Sequence, residues 1–281
     1  VSGNRRKTAS VLTGRDGAGL IAAALIFLNG GFYVYPRMML TESLYFFLMM
    51  VSFVLLAEAE RHERPTLSFW GGLVFGCAVM VRSLVVVTLP FLLLPRLFRH
   101  RRDRSVSLRP VLLMFIGFLI PCVPWWIRNI VTLHRLVFWA TQTNPVYAGL
   151  SPDPVADGLT DPGSYAGNFR LLFGLLKKHP RATLSWMTFG KFNIIFMNND
   201  AWPMQILTEI VRNITVCLGF AGAVLALFTR EARRYALPFW AYFLCILFSV
   251  PVVRYSFQYL FLLAVFAGWL LGKTWERIRN T

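Results

Sequence analysis

Charge is scarce in this chain: 15% of its 281 residues are charged, and only 13 are Asp or Glu. A soluble domain usually carries about a quarter charged residues, so a wholly water-exposed surface cannot be built from this sequence. No HExxH, DxD or other metal-ligand spacing occurs, and His62, His100, His134 and His179 are scattered over separate links. GxGxxG and P-loop patterns are missing, and no Ser-His-Asp arrangement can be argued. Dinucleotide enzymes, P-loop NTPases and zinc hydrolases therefore find no support. Cysteine is also rare. Cys77, Cys122, Cys217 and Cys245 lie inside apolar runs without a CxxC pair, and read as small buried hydrophobes. No signal peptide is present; the first residue is Val and the first 16 are polar and basic, so the chain is expected to be an excerpt of a longer protein.

What is abundant is apolar. Hydrophobic residues make up 56%, 25 residues are Phe and the mean hydropathy is +0.55. The apolar residues come in blocks near the roughly 20 residues that span a hydrocarbon core as a helix. The fold class expected is all-α: a polytopic membrane protein. The net charge of +16 would suit a phosphate backbone. Many of the 29 Lys and Arg, however, fill short links between apolar blocks, where membrane topology alone concentrates them, and no nucleic-acid partner is expected.

By apolar length the spans are about 17–36, 38–57, a longer block 67–95, 110–127, 206–229, 235–251 and 254–272. The long block decides the topology. A single crossing there would put the link 96–109, with six Arg, opposite the basic links 1–16 and 58–66. A reversal at Arg82 instead gathers 18 Lys and Arg in 56 linking residues on one side, against 7 in the 82 residues of 128–209. The positive-inside rule prefers the reversal. About eight membrane-embedded helical segments result, including a short hairpin with its apex near Arg82, whose arms of about 15 residues reach about 22 Å. Both ends of the chain are then cytoplasmic. The 34–41 turn, Arg82, the segment 128–205 and the 251–254 turn converge on the outer side. The segment 128–205 is too long for a plain connector. After a turn-rich start it holds two apolar-rich stretches split by Pro180. Phe169, Leu172, Phe173 and Leu176 recur at helical spacing in the first, and Trp186, Phe189, Phe192 and Phe196 in the second. They read as helices at the membrane interface or as an ordinary lid on the rest of the protein.

A charge in or beside hydrocarbon needs a partner or a use. Glu42, at the outer mouth of a helix, is either part of an N-terminal cap with Thr41 or a site carboxylate that orients an acceptor, a cation or an arginine. Arg82 has no other charge for more than ten residues on either side; its guanidinium suits a phosphate or a structural ion pair with Glu42. Arg128 ends the PWWIRN run, where Trp125 and Trp126 read as an interfacial belt and Arg128 either binds an anion or snorkels. Arg254 and Tyr255 open the last span. A cation at a helix start is unhelpful to the dipole, so a bound anion is one reason for it to be there and interfacial anchoring is the other. Asn213-Ile214-Thr215 fits a glycosylation pattern but lies inside an apolar span and is discounted.

The order GRDGAGLIAAALIFLNGGFYVYPRMMLTESLYFFL, GGLVFGCAVMVRSLVVVTLPFLLLP, PWWIRNIVTLHRLVFWATQTNPVYAGL, KKHPRATLSWMTFGKF and VVRYSFQYLFLL resembles family-39-type, GT-C-fold glycosyltransferases, which include protein O-mannosyltransferases and bacterial lipid A aminoarabinose transferases. VRSL departs from the Arg-Pro or Lys-Pro step common there, and RYSFQY lacks the Pro usual after the RY pair. The resemblance implies one N-terminally truncated GT-C-like membrane domain over 1–281, with 128–205 as its extracytoplasmic segment. It implies transfer of a sugar from a polyprenyl-phosphate donor to a hydroxyl of a lipid or protein acceptor on the outer face. Substrate-binding roles then fall to Arg82, Arg128, Arg254 and Tyr255, and an orienting or acceptor-side role to Glu42. The family's principal base sits in an outer loop that would precede Val1, so this chain alone is expected to be inactive. No cofactor is assigned and assistance by a divalent metal stays open. Scarce Lys, abundant Arg and the missing disulfide framework point to a bacterial inner membrane, among membrane lipids. The rival reading is a transporter or flippase subunit, whose inverted repeat is not visible.

Overall fold

The computed structural model describes residues 16–29, 41–138, 144–197, 205–229 and 232–279. The 34–40 part of the expected outer turn, the basic residues 1–15 and residues 139–143 and 198–204 of the outer segment lie outside the described residues. All regular elements among the described residues are helical. Eight apolar or membrane-length segments stand out. They are α1 (Asp16–Phe27), α2 (Thr41–Arg61), α3 (Pro65–Val81), a 3-10 turn (Ser83–Thr88) running into α4 (Leu89–Arg102), α5 (Arg109–Leu133), α9 (Gln205–Phe228), α10 (Arg233–Ile246) and α11 (Phe257–Arg279). Between α5 and α9 lie the short α6 (Asn144–Tyr147), α7 (Tyr165–Lys178) and α8 (Pro180–Ser185). Among the described residues five stretches are long and apolar enough to cross a membrane: Thr41–Arg61, Ser83–Arg102, Arg109–Leu133, Thr208–Phe228 and Val253–Trp275.

The reversal near Arg82 follows from which helices touch. Leu56 lies against Gly71, and Ser52 Oγ donates to the Gly71 carbonyl at 2.9 Å, so α2 and α3 form an antiparallel pair. Gly72 faces Met114 while Gly76 faces Phe118 and Pro121, so α3 and α5 run the same way. The chain between them must come back, and α4 is that return. Gly72 and Gly76 make the contact close: a Cβ on Gly72 would stand 2.0 Å from the Met114 carbonyl oxygen, the small-residue packing expected where no water drives helices together.

The break has local causes. Arg82 is extended (φ −141°, ψ 100°) and caps α3 through its N–H to Ala78. The β-branched run Val85 to Thr88 is a weak α-helix former; Thr88 Oγ1 bonds back to Val85, and Pro90 sits in the first turn of α4, where its missing N–H costs nothing. The expected arm length needs correction. Helix α3 has 17 residues, and the returning stretch Ser83–Arg102 has 20 and is long enough to cross. Nor do the arms lie flat on each other, since the turn and α4 pack against α10.

The segment 128–205, expected on the outer side, also differs from two simple interfacial helices. Ser164 caps α7 by accepting from the Gly167 N–H at 3.1 Å, and α7 turns Leu172 inward while Phe169 and Phe173 stay exposed. Beyond Pro180 the helix is short and continues as two π-helical turns, Trp186–Gly190 and Asn193–Met197. The wider turns send the aromatics in different directions: Trp186 packs in a small core with Leu150, Leu172 and Met187, Phe196 is fully buried in the main core, and Phe189 is 79% exposed. One further correction concerns cysteine: Cys122 is buried, but Cys217 is exposed.

Candidate functional site: an arginine-glutamate cluster at the helix break

Four of the five residues singled out in the sequence meet at one place. Helix α2 begins at Thr41 and carries Glu42 in its first turn; Arg82 stands at the α3 break; Arg254 and Tyr255 occupy a 3-10 turn (Val253–Ser256) just before α11. Glu42 Oε1 accepts from Arg82 Nη2 at 3.1 Å and lies 3.4 Å from Arg254 Nε, while Thr41 Oγ1 donates to Oε2 at 3.2 Å. The Arg82 guanidinium sits 4.7 Å from the centre of the Tyr255 ring, and that of Arg254 6.0 Å, within cation–π range. The Glu42 side chain is 3% exposed, Arg82 20% and Arg254 46%.

This arrangement holds two positive charges against one negative one. The carboxylate is buried and its oxygens are engaged, so Glu42 fixes the guanidinium forks and keeps them from repelling one another. Each fork has five N–H donors, and among the described residues only Arg82 Nη2 and Arg254 Nε meet the carboxylate. The remaining donors and the surplus positive charge suit an anion with several acceptor oxygens. Thr41 does not cap α2 as expected, since it is the first helical residue and its hydroxyl goes to Glu42; Glu42 itself lies in the first turn and contacts two arginines.

A buried polar layer floors the cluster. Tyr45, one turn below Glu42, stands with its ring 6.4 Å from Tyr242; Tyr242 donates to Gln258, and Tyr259 donates to the Tyr242 carbonyl at 3.3 Å. All four side chains are buried.

Arg128 does not join the cluster through any contact among the described residues. It is exposed, stacks 5.2 Å over Trp125 and donates to Asn129 Oδ1 at 3.1 Å. Asn129 in turn donates to the Val137 carbonyl at 2.9 Å and pins the chain after α5. No group of three His, Cys, Asp or Glu capable of holding a metal occurs among the described residues.

Residues 6–139 match the family model for dolichyl-phosphate-mannose-protein mannosyltransferase. The mannosyltransferase-like part thus runs from before α1 through α5 and contains Glu42, Arg82 and Arg128. The likeness to GT-C-type glycosyltransferases stands over that part of the chain. Arg254 and Tyr255 lie outside it, yet the fold brings them onto Glu42. No curated protein and no solved structure matches the chain.

Sequence reasoning missed Lys191. It is fully buried between the two π-helical turns, and its ammonium donates to the carbonyls of Leu247 and, at 3.0 Å, Ser249 at the end of α10. Burial pulls its pKa down to about 7. Gly149 meets the same stretch: a Cβ there would lie 2.5 Å from the Ser249 carbonyl oxygen. The segment that holds Gly149 and Lys191 is therefore clasped to the residues that lead into Arg254. The signal was legible as a lone cation in the run Gly190-Lys191-Phe192-Asn193-Ile194-Ile195-Phe196; its partners were not, because they are backbone carbonyls.

Proposed function

We propose that the chain is part of a membrane glycosyltransferase that takes a sugar from a polyprenyl-phosphate donor, and that the Glu42–Arg82–Arg254 cluster receives the lipid phosphate. The observation that carries this reading is the pair of guanidinium groups held on one buried carboxylate with donors to spare. The match to a family named for a dolichyl-phosphate-mannose donor and a protein acceptor supports the same substrate class. As the glycosidic bond to the phosphate breaks, negative charge grows on the phosphate oxygens. Fixed cationic donors at that point stabilise the developing charge without reorganising. Tyr255, under Arg82, holds the planar fork by stacking and offers its hydroxyl to the same region.

Glu42 acts in this scheme as a positioning residue. Its oxygens are taken up by Arg82, Arg254 and Thr41, so the base that activates the acceptor hydroxyl is assigned outside the cluster. The cluster opens to the extracytoplasmic side in a single GT-C-like domain of a bacterial inner membrane, with the basic links at the other end facing the cytoplasm. Arg128 keeps a weaker place beside the donor, at the outer end of α5.

The test is turnover by the full-length protein with a polyprenyl-phosphate sugar. Arg82→Ala should lower turnover by about a hundredfold to a thousandfold, the usual effect of removing one charged donor from a developing oxyanion. Near-normal turnover in that variant rejects the assignment.

A further inference from the structure

At the other end of the bundle α2, α4, α5, α10 and α11 enclose a cavity of about 290 Å³, close to the lower limit of about 300 Å³ typical of ligand pockets. Its body is apolar, with Met49, Phe53, Leu92, Met114, Phe261 and Val265 among the lining side chains. One end is shut by the buried Tyr45 and Tyr242, which separate it from the Glu42 cluster. The other carries Glu60, Arg96, Arg99 and Arg234. Glu60 is committed to Arg234 through a 2.5 Å ion pair, and Arg234 also lies over the Tyr235 ring at 4.6 Å. Arg96 is different: its Nε is buried and meets no hydrogen-bond partner among the described residues. Arg99, one turn further along α4, is exposed and uses its Nε on the Pro95 carbonyl at 3.2 Å. The rim therefore holds three guanidinium groups against Glu60, with Glu63 a second carboxylate near enough to act on Arg96, above a pocket with little polar lining.

An occupant must be anionic at one end and hydrocarbon at the other. A soluble anion would leave the apolar chamber unfilled, and the closed tyrosine end bars a chain descending from the Glu42 cluster. We propose that this cavity is a binding site for an anionic glycerophospholipid, with one acyl chain in the chamber and the phosphodiester on Arg96 and Arg99. Basic pockets between membrane helices are a known means of holding anionic headgroups on the positively charged side of a membrane protein. The site lies away from the Glu42 cluster and does not depend on its chemistry.

The experiment uses the full-length protein in a neutral detergent, titrated with phosphatidylglycerol or with phosphatidylcholine of the same chains, with bound lipid read by native mass spectrometry. Phosphatidylglycerol should bind at least about tenfold more tightly than phosphatidylcholine, and Arg96→Gln with Arg99→Gln should remove about tenfold of that affinity, as loss of a charge-assisted hydrogen bond does. Val265→Phe, which fills the chamber and leaves every charge in place, should weaken binding to a similar degree. If the double variant does not fold, Arg99→Gln alone, at an exposed position, should still weaken binding about threefold. Equal binding of the two lipids, full retention in Val265→Phe or unchanged affinity in the arginine variants overturns the proposal. So does a polyprenyl phosphate that occupies the cavity and is lost with Arg82→Ala instead.

Discussion

The two ends of this helix bundle use the same three residue types at very different stakes. At one end Glu42 joins Arg82 and Arg254, with Arg82 stacked on Tyr255; at the other Glu60 joins Arg234, which is stacked on Tyr235. The pairings look alike, but the Glu42 side chain is buried and that of Glu60 is 34% exposed. A carboxylate exchanged with water is lost cheaply, whereas one enclosed with two cations leaves them without compensation when it is removed. Burial, more than the pairing itself, thus separates a cluster able to hold a defined geometry from one that only biases a surface.

The sharpest test removes one carboxylate at a time. Glu42→Gln should destabilise the protein by about 3–5 kcal/mol and abolish transfer, whereas Glu60→Gln should cost at most about 1 kcal/mol; thermal unfolding in detergent, followed by fluorescence, measures both. Equal losses would erase the contrast. Within the buried cluster, Arg254→Ala should reduce turnover less than Arg82→Ala, since Arg254 is 46% exposed and water replaces part of what it supplies. Steady-state rates of the two variants, compared side by side, decide the order.

Lys191 sharpens the comparison from another direction, being a buried cation with carbonyl partners and no carboxylate in contact among the described residues. Its pKa is about 7 in the fold and near 10.5 when unfolded. Between these values the unfolded chain holds a proton that the folded one does not, so stability should rise with pH from about 7 to about 10, by up to about 1.4 kcal/mol per unit. Below pH 7 both states are protonated and this contribution to the slope vanishes. Lys191→Met should flatten the rise, as unfolding midpoints across that range would reveal. The smallest effect concerns topology alone. Arg102→Cys should be silent in activity and should escape an impermeant thiol reagent added outside intact cells, while labelling there would place the basic end on the wrong side.

The reversal was legible because an isolated charge in an apolar block is costly. The six arginines of 96–109 argued for a reversal, and the helix breaks at Arg82, whose isolation in an apolar block had marked it. The meeting of Glu42 with Arg82 was also within reach, since each needed a partner on the same side. Arg254 completing the cluster was expected only as a neighbour on that side; its direct contact with Glu42 depends on how α11 seats against α2, which no local pattern encodes. Arg128 was the weaker third candidate in sequence, and the adjacent Trp125 and Asn129 take it up. The aromatic spacing of 181–197 misled for a backbone reason: π-helical turns change the angle between successive residues, so a regular interval no longer means a shared face.

The grip of Lys191 on the carbonyls of Leu247 and Ser249 makes the two arginines of the cluster unequal partners. Arg82 ends a helix of the bundle, while the stretch that delivers Arg254 is held by Lys191 of the segment 144–197. Under the proposed function, displacing that segment would move the Arg254 side of the cluster while the Arg82 side stays with its helix, much as a jaw closes on an anvil.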